Sequence, residues 1–177
     1  RWATHGEPNE ANAHPHLSDT IAVVHNGIIE NHQDLRTELK TEGYVFESET
    51  DTEVIAHLIN YSLRKNDSLR EAVNSVLDRV EGAYAIAVLD SNNPDCLIAA
   101  RVGSPLVVGL GIGENYVASD PQALRPVTDR FIFLEEGELV EVTARDISIY
   151  GHNQDAVERR AITLDDRLDA ADKGKYR

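Results

Sequence analysis

The spacing of apolar and polar positions divides the chain into a helical first half and a stranded second half. Residues 20–27 (TIAVVHNG) form a short apolar run that stops at Asn-Gly, which predicts a buried strand ending in a tight turn. Apolar residues then recur at helical spacing in three segments, 31–43, 50–65 and 68–80. Residues 44–48 (YVFES), between the first two helices, predict a short strand.

Local signals place the ends of these helices. Asn31 is a plausible N-cap for the first helix, and Gly43 is a C-terminal stop. Thr50 and Glu53 have the spacing of a capping box at the start of the second helix. The third helix carries a wide apolar stripe, so we expect it to pack against a sheet.

From Gly82 onward the pattern changes to short β-type runs separated by Asn, Pro, Asp and Gly. These runs predict antiparallel strands joined by hairpin turns, one of them at Glu135–Glu138 (EEGE). Residues 121–127 (PQALRPV) predict a short helical turn, and the charged segment after Gly151 predicts irregular structure. Helices followed by antiparallel strands indicate an α+β fold with helices layered on a sheet.

Composition narrows the class of protein. A length of 177 residues fits one domain, and the net charge of −14 disfavours nucleic acid and anionic membrane surfaces as partners. No apolar run is long enough to span a bilayer. The single cysteine cannot form an internal disulfide, which favours a reducing, cytoplasmic compartment.

The opening residues RWATHG combine groups that are typical of a binding site. Arg1 carries a planar fork suited to a carboxylate, while Thr4 and His5 supply a hydroxyl and an imidazole. Gly6 permits a sharp bend. Taken alone, these six residues fit a surface loop better than a site.

Two further motifs have both a functional and a plain structural interpretation. The side-chain amide of Asn26 and the backbone N–H of Gly27 could form an oxyanion hole, although a hairpin turn explains Asn-Gly more simply. Asp51 could bind a ligand ammonium, although capping of the second helix explains an acidic residue there.

The sequence gives only weak support to a metal site and to a cysteine nucleophile. His5, His14, His16 and His25 suggest metal ligands, but they lack the compact spacing of a zinc site, so neither a metal nor another cofactor is expected. The simpler interpretation of His14 is a hydrogen bond that orients its loop. Cys96 follows Asp95 and precedes apolar residues, which predicts a packed side chain rather than a nucleophile.

Several unusual motifs occur in one order: RWATHGEPNEANAHPH, VVHNGIIENHQDLRTEL, SETDTEVIAHL, EGAYAIAVLD, ARVGSPLVVGLG, ASDPQAL and FLEEGELVE. Together they resemble class II glutamine amidotransferases, and most closely the glutaminase domain of the glucosamine-6-phosphate synthase family. The resemblance implies an Ntn-hydrolase fold, a four-layer αββα sandwich. It also implies hydrolysis of the glutamine side-chain amide by an N-terminal Cys whose α-amine acts as base, with the ammonia used to aminate fructose-6-phosphate.

The resemblance assigns roles residue by residue. It places Asn26 and Gly27 in the oxyanion hole, Asp51 on the α-ammonium of glutamine, and His14 in structural support of the site. It places Arg1 on the α-carboxylate of glutamine. It assigns the loop that closes over glutamine, and further substrate contacts, to Trp2, Thr4, His5 and Gly6. Arg at one end and Asp at the other would select a free α-amino acid.

The chain departs from the family pattern at both ends. The N-terminal Cys and the strands after it are not in this sequence, so residues 1–168 are expected to be an N-terminally incomplete glutaminase domain. Residues 169–177 would begin a linker to a sugar isomerase domain of the same parent chain, which the resemblance implies is a homodimer. We expect this fragment to be inactive alone, with unpaired strand edges and exposed apolar surface.

Two alternatives to this function stay open from the sequence. The chain could belong to another class II amidotransferase with a different acceptor. It could also be a non-catalytic module that binds glutamine.

Overall fold

The computed structural model describes Glu7 and residues 9–164. The expectations for Arg1, Trp2, Thr4, His5 and Gly6 therefore lie outside the described residues. The α-helices are α1 (His32–Thr41), α2 (Asp51–Leu63) and α3 (Leu69–Leu77), and a 3-10 helix covers Pro121–Leu124. The strands are β1 (His16–Ser18), β2 (Ile21–Ile29), β3 (Gly82–Asp90), β4 (Leu97–Val102), β5 (Val107–Leu110), β6 (Asn115–Ala118), β7 (Arg130–Phe133), β8 (Leu139–Val142), β9 (Ile147–Tyr150), β10 (Ala156–Val157) and β11 (Ile162–Thr163).

The strands form two antiparallel sheets. The larger sheet has seven strands in the order β1-β2-β3-β4-β8-β9-β10, and the smaller has four in the order β11-β7-β5-β6. The pairing of β2 with β3 runs unbroken from Ile21 opposite Asp90 to Ile29 opposite Gly82. This long pairing joins the second and third strands of the larger sheet and fixes which residues of β2 face each side.

Two apolar cores lie on opposite faces of the larger sheet. Side chains of α1, α2 and α3 pack on one face around Ile86, Ile59 and Leu39, which are almost completely buried. Val108 of the smaller sheet packs on the other face against Val140. The described residues thus form helix, sheet and sheet layers, and the 3-10 helix contacts the smaller sheet at β5 and β6. The α+β sandwich expected from the sequence is confirmed.

None of the helices in the described part of the chain is long and apolar enough to cross a membrane.

The predicted helix ends are largely confirmed. The Thr50 side chain accepts a hydrogen bond from the N–H of Glu53, and Ser68 accepts one from the third residue of α3 in the same way. Asn31 precedes α1, but its side chain makes no capping bond there. Its amide donates instead to the carbonyl of Arg79 at 2.8 Å, which ties the start of α1 to the end of α3.

Three predictions for other segments differ from the structure in whole or in part. Residues 44–48 form no strand, because the N–H groups of Glu47 and Ser48 donate to the carboxylate of Glu53 rather than to another strand. The turn at Glu135–Glu138 does not close a hairpin, since β7 and β8 lie in different sheets. The segment after Gly151 is partly regular, with β10 and β11 each adding an edge strand.

Candidate functional site

The strand β2 carries the Asn-Gly motif through its middle, so the predicted tight turn at Asn26–Gly27 is wrong. Asn26 pairs with Ala85 and Gly27 with Tyr84. Gly27 has φ +124°, a conformation that L side chains rarely adopt. A Cβ there would lie 2.0 Å from the carbonyl oxygen of Ala83, so only glycine fits. The motif therefore marks a close backbone approach inside a sheet.

Asn26 faces the space between the two sheets. Its pairing partner Ala85 belongs to the core between the sheets, and residues opposite each other in a sheet share a face. The Asn26 side chain is exposed and lines a cavity of about 120 Å³. His14, Leu106 and Ser119 line the same cavity. The amide of Asn26 is thus a hydrogen-bond donor available to a ligand at the open end of the sandwich.

Apolar side chains on this face of β1, β2 and β3 are exposed, and two of them, Val24 and Ile28, flank Asn26 on β2. Leu17 is 63% exposed, and Val24, Ile28 and Leu89 are each exposed by 40% or more. They lie on β1, β2 and β3. The smaller sheet covers the same face of the larger sheet at β4 and β8. Exposed apolar residues on one face of a sheet are typical of an interaction surface. The exposed apolar surface expected from the sequence is present beside the candidate site.

Asp51 lies on the other face of β2, at the first position of α2. Its Oδ2 accepts a hydrogen bond from the N–H of Ile29 at 3.0 Å, and the residue is completely buried. Asp51 lies in the first turn of α2, where the helix dipole favours an acidic residue, but Thr50 is the N-cap and the Asp51 carboxylate also contacts the strand. This contact joins the start of α2 to β2 two residues beyond Gly27. The backbone of β2 therefore connects the Asp51 contact at Ile29 to Gly27, two residues earlier.

The hydroxyl of Thr52 lies between two imidazoles. Its Oγ1 is 3.0 Å from Nδ1 of His25 and 3.4 Å from Nε2 of His14. Thr52 is fully buried, and Nδ1 of His25 is also 3.9 Å from Oδ1 of Asp51. One hydroxyl therefore links the strand that carries Asn26, the helix that carries Asp51 and the loop that carries His14. The supporting role of His14 stays a prediction, for which this contact offers a physical basis.

We expect Thr52→Val to destabilise the chain by about 2 kcal/mol, because a buried imidazole nitrogen loses its hydroxyl partner while the side-chain volume is kept. Urea unfolding followed by circular dichroism measures this difference. Thr52→Ser retains the hydroxyl and is the matched control, with an expected cost below about 1 kcal/mol for the lost methyl group. Equal stabilities of the two variants would show that the hydroxyl does not support the site.

A second polar cluster fixes the segment before α2. The carboxylate of Glu53 accepts hydrogen bonds from the N–H groups of Glu47 and Ser48, both at 2.8 Å, and from the Ser48 hydroxyl at 2.6 Å. Burial favours the neutral acid, but these bonds and that of His57 outweigh it and lower the pKa of Glu53 to about 2. The carboxylate thus holds residues 47–48 against the start of α2.

Arg36 of α1 secures the same segment from the other side. Its guanidinium donates to the carbonyl of Ser48 at 3.0 Å and to that of Thr50 at 2.8 Å. The same guanidinium lies over the ring of Phe46, 4.2 Å from its centroid. The position of Asp51 is therefore set by contacts with α1, α2 and β2 together.

Cys96 lies far from Asn26 along the larger sheet. It precedes Leu97, which pairs with Leu89, whereas Asn26 pairs with Ala85 four residues earlier on β3. At the rise of a strand this is a separation of about 14 Å. Burial and the nearby carboxylate of Glu141 raise the pKa of the Cys96 thiol. Its environment is that of a packed side chain rather than a nucleophile.

The structure places Asn26 and His14 on one cavity, with Gly27 next to Asn26 on β2. Asp51 lies on the opposite face of β2, bonded to it at Ile29, so a single site formed by all four residues stays a prediction. Sequence reasoning missed Thr52, which lies beside Asp51 in the same motif and carries no signal of its own in the pattern. Among the described residues, no three His, Cys, Asp or Glu side chains are grouped to hold a metal ion. The histidines of the suggested metal cluster that are described contact threonine hydroxyls, His16 on Thr50 and the other two on Thr52.

The sequence of this chain is similar to those of known proteins. Residues 5–126 match a family described as the glutamine amidotransferase domain. The isomerizing glutamine–fructose-6-phosphate aminotransferase of Shigella flexneri is 59% identical over all 177 residues, and that of Yersinia pseudotuberculosis is 60% identical. The chain spans 29% of the length of each of these relatives.

Solved structures share the fold of this chain. The glutamine phosphoribosylpyrophosphate amidotransferase of B. subtilis, complexed with ADP and GMP, superposes with a TM-score of 0.65 at 28% identity. The alignment covers 77% of this chain and 30% of that one. A glutamine aminotransferase class-II domain protein from Silicibacter pomeroyi has a TM-score of 0.58 at 17% identity, with 81% and 71% of the two chains covered. The latter likeness concerns the fold alone.

Proposed function

The chain belongs to the glutamine amidotransferase family, and we propose that it supplies most of the glutaminase site of a longer enzyme. That enzyme would release ammonia from glutamine and use it to convert fructose-6-phosphate into glucosamine-6-phosphate. The exposed amide of Asn26, beside the glycine-only backbone at Gly27, is the observation that carries the proposal. The identity of 59% with an isomerizing glutamine–fructose-6-phosphate aminotransferase supports the choice of acceptor.

Asn26 and Gly27 would act as the oxyanion hole. When a nucleophile adds to the side-chain amide of glutamine, negative charge develops on the amide oxygen. Two donors fixed at that position stabilise the charge without having to reorganise during the reaction. The unbroken pairing of β2 with β3 holds the backbone at Gly27, and the absence of a side chain there lets the substrate approach closely.

Recognition of the α-amino acid would come from the two ends of the site. Arg1 would bind the α-carboxylate, and Trp2, Thr4, His5 and Gly6 would form the loop that closes over glutamine. Asp51 would bind the α-ammonium. Asp51 is fully buried and accepts a hydrogen bond from the N–H of Ile29, so the ammonium would have to displace neighbouring groups to reach it.

The nucleophile would be an N-terminal Cys of the longer protein. Cys96 cannot take that role, since its amine is in a peptide bond, its thiol pKa is raised, and it lies at the far end of β3. The segment that carries the nucleophile would cover the exposed apolar face beside Asn26. The assembled enzyme would be a cytoplasmic homodimer, with the ammonia passing to a sugar isomerase domain.

Replacement of Asn26 by Ala in the longer protein tests the oxyanion hole. We expect kcat for ammonia release to fall by about 10²–10³, with little change in KM for glutamine, because the lost donor acts mainly in the transition state. The same variant of the isolated chain should keep its stability within about 0.5 kcal/mol, since the side chain is exposed. An unchanged kcat in the folded variant would remove the assignment.

An activity assay of the isolated chain tests whether the nucleophile lies outside it. We expect no ammonia release from glutamine by this chain, measured with a coupled glutamate dehydrogenase assay. Binding is measured separately by the fluorescence of Trp2, the only tryptophan, with D-glutamine as the control ligand. A saturable change specific to L-glutamine would support a substrate site formed by this chain. Ammonia release by the chain itself would contradict the proposed nucleophile.

A further inference from the structure

Three backbone segments meet at Ala83, directly beside the candidate oxyanion hole. On one side, a Cβ on Gly27 would lie 2.0 Å from the Ala83 carbonyl oxygen. On the other side, a Cβ on Gly103 would lie 2.7 Å from the Cβ of Ala83 and 3.1 Å from its Cα. Ala83 therefore lies between two glycines, and neither position has room for a side chain.

The Gly103 segment is held in this position by a carboxylate from the connection between the two sheets. Oε1 of Glu136 accepts a hydrogen bond from the N–H of Gly103 at 2.8 Å. Its Oε2 accepts one from the guanidinium of Arg101 at 3.1 Å. A single parallel bridge also joins Gly103 to Tyr84, the residue opposite Gly27. These contacts hold Gly103 against the start of β3, at Ala83 and Tyr84.

We propose that Gly103 is a positioning residue for the oxyanion hole, setting the place of the Gly27 backbone through Ala83. The inference rests on the proposed function. A side chain at position 103 would push Ala83 toward Gly27 and displace the backbone that donates to the oxyanion. Because oxyanion donors must meet the developing charge at hydrogen-bond distance, a small displacement costs catalysis more than binding.

Gly103→Ala tests the proposal by two readouts. In the ¹⁵N-labelled chain, the amide signal of Gly27 should shift. In the longer protein, kcat should fall at least about tenfold while KM for glutamine stays within about twofold. Gly113→Ala is the matched control, since Gly113 has φ +73° against +74° for Gly103 and no atom within 4 Å of its added Cβ. That control should leave the Gly27 amide signal and kcat unchanged.

A rescue variant separates contact with Ala83 from backbone strain at position 103. Adding Ala83→Gly to Gly103→Ala removes the 2.7 Å contact and should return the Gly27 signal and kcat toward their original values. Failure of this rescue, or an unmoved Gly27 signal in Gly103→Ala, would overturn the proposal. If Gly103→Ala does not fold, Glu136→Gln loosens the same segment and should shift the Gly27 signal.

The Gly27 amide signal and kcat distinguish a failure of this inference from a failure of the proposed function. Absence of glutaminase activity in the unmodified longer protein would refute the function. The Gly27 amide signal would still show whether Gly103 sets the backbone at Gly27.

Discussion

Gly27→Ala is expected to destabilise the chain by about 3–5 kcal/mol. The added Cβ would lie 2.0 Å from the Ala83 carbonyl oxygen and 2.7 Å from the Cα of Tyr84, and both are backbone atoms that cannot rotate away. Strain at φ +124° and overpacking each contribute about 1–3 kcal/mol. Urea unfolding at neutral pH measures the loss.

Gly43→Ala provides the control for this prediction. Gly43 also has a positive φ, +91°, but no atom lies within 4 Å of its added Cβ. Its substitution should therefore cost only the backbone strain, about 1–2 kcal/mol. Equal losses for the two variants would mean that β2 and β3 separate without penalty, and that the glycine requirement at the site is conformational alone.

The same residue shows what the sequence could and could not predict. The apolar run before Asn26 and the glycine after it are visible in the sequence, which predicts that both donors could form an oxyanion hole. The sequence suggested a turn because Asn-Gly usually reverses a chain. Only the pairing with Gly82–Asp90, more than fifty residues away, shows that the strand continues. Long-range pairing is not encoded in local patterns.

The segment before α2 illustrates the same limit at the scale of side chains. Residues 44–48 have strand-like composition, and the periodicity of α2 was recognised from its buried face. The carboxylate of Glu53 replaces the strand that the segment would otherwise need, by accepting its backbone N–H groups. Local propensity cannot show that a side chain six residues away will take this role.

The role predicted for Asp51 comes from the resemblance rather than from the residues alone. An acidic residue at the start of a helix is explained by the helix dipole, so its contact with Ile29 of β2 could not be expected from position. Thr52 was missed for a related reason. A threonine in a first helical turn is common, and its significance arises only when His14 and His25 converge on it.

Glu53→Gln is expected to destabilise the chain by about 3 kcal/mol at pH 7. The amide replaces a carboxylate that accepts three hydrogen bonds, and its NH₂ group would face the N–H of Glu47 or Ser48. The folded-state pKa of about 2 lies below the ordinary value of 4.5, and this difference corresponds to about 3 kcal/mol.

The sign of the pKa shift fixes the pH dependence of this loss. Because the folded-state pKa is lowered, the contribution of Glu53 is complete above about pH 5 and declines as the pH falls from about 4.5 to about 2. The difference in unfolding free energy between the original chain and Glu53→Gln should therefore be constant from pH 6 to 8 and shrink below about pH 4.5. Urea unfolding at a series of pH values measures it, with the exposed Glu49→Gln as control at below about 0.5 kcal/mol. A difference that persists undiminished at pH 2.5 would show that the geometry of the carboxylate, and not its charge, holds the segment before α2.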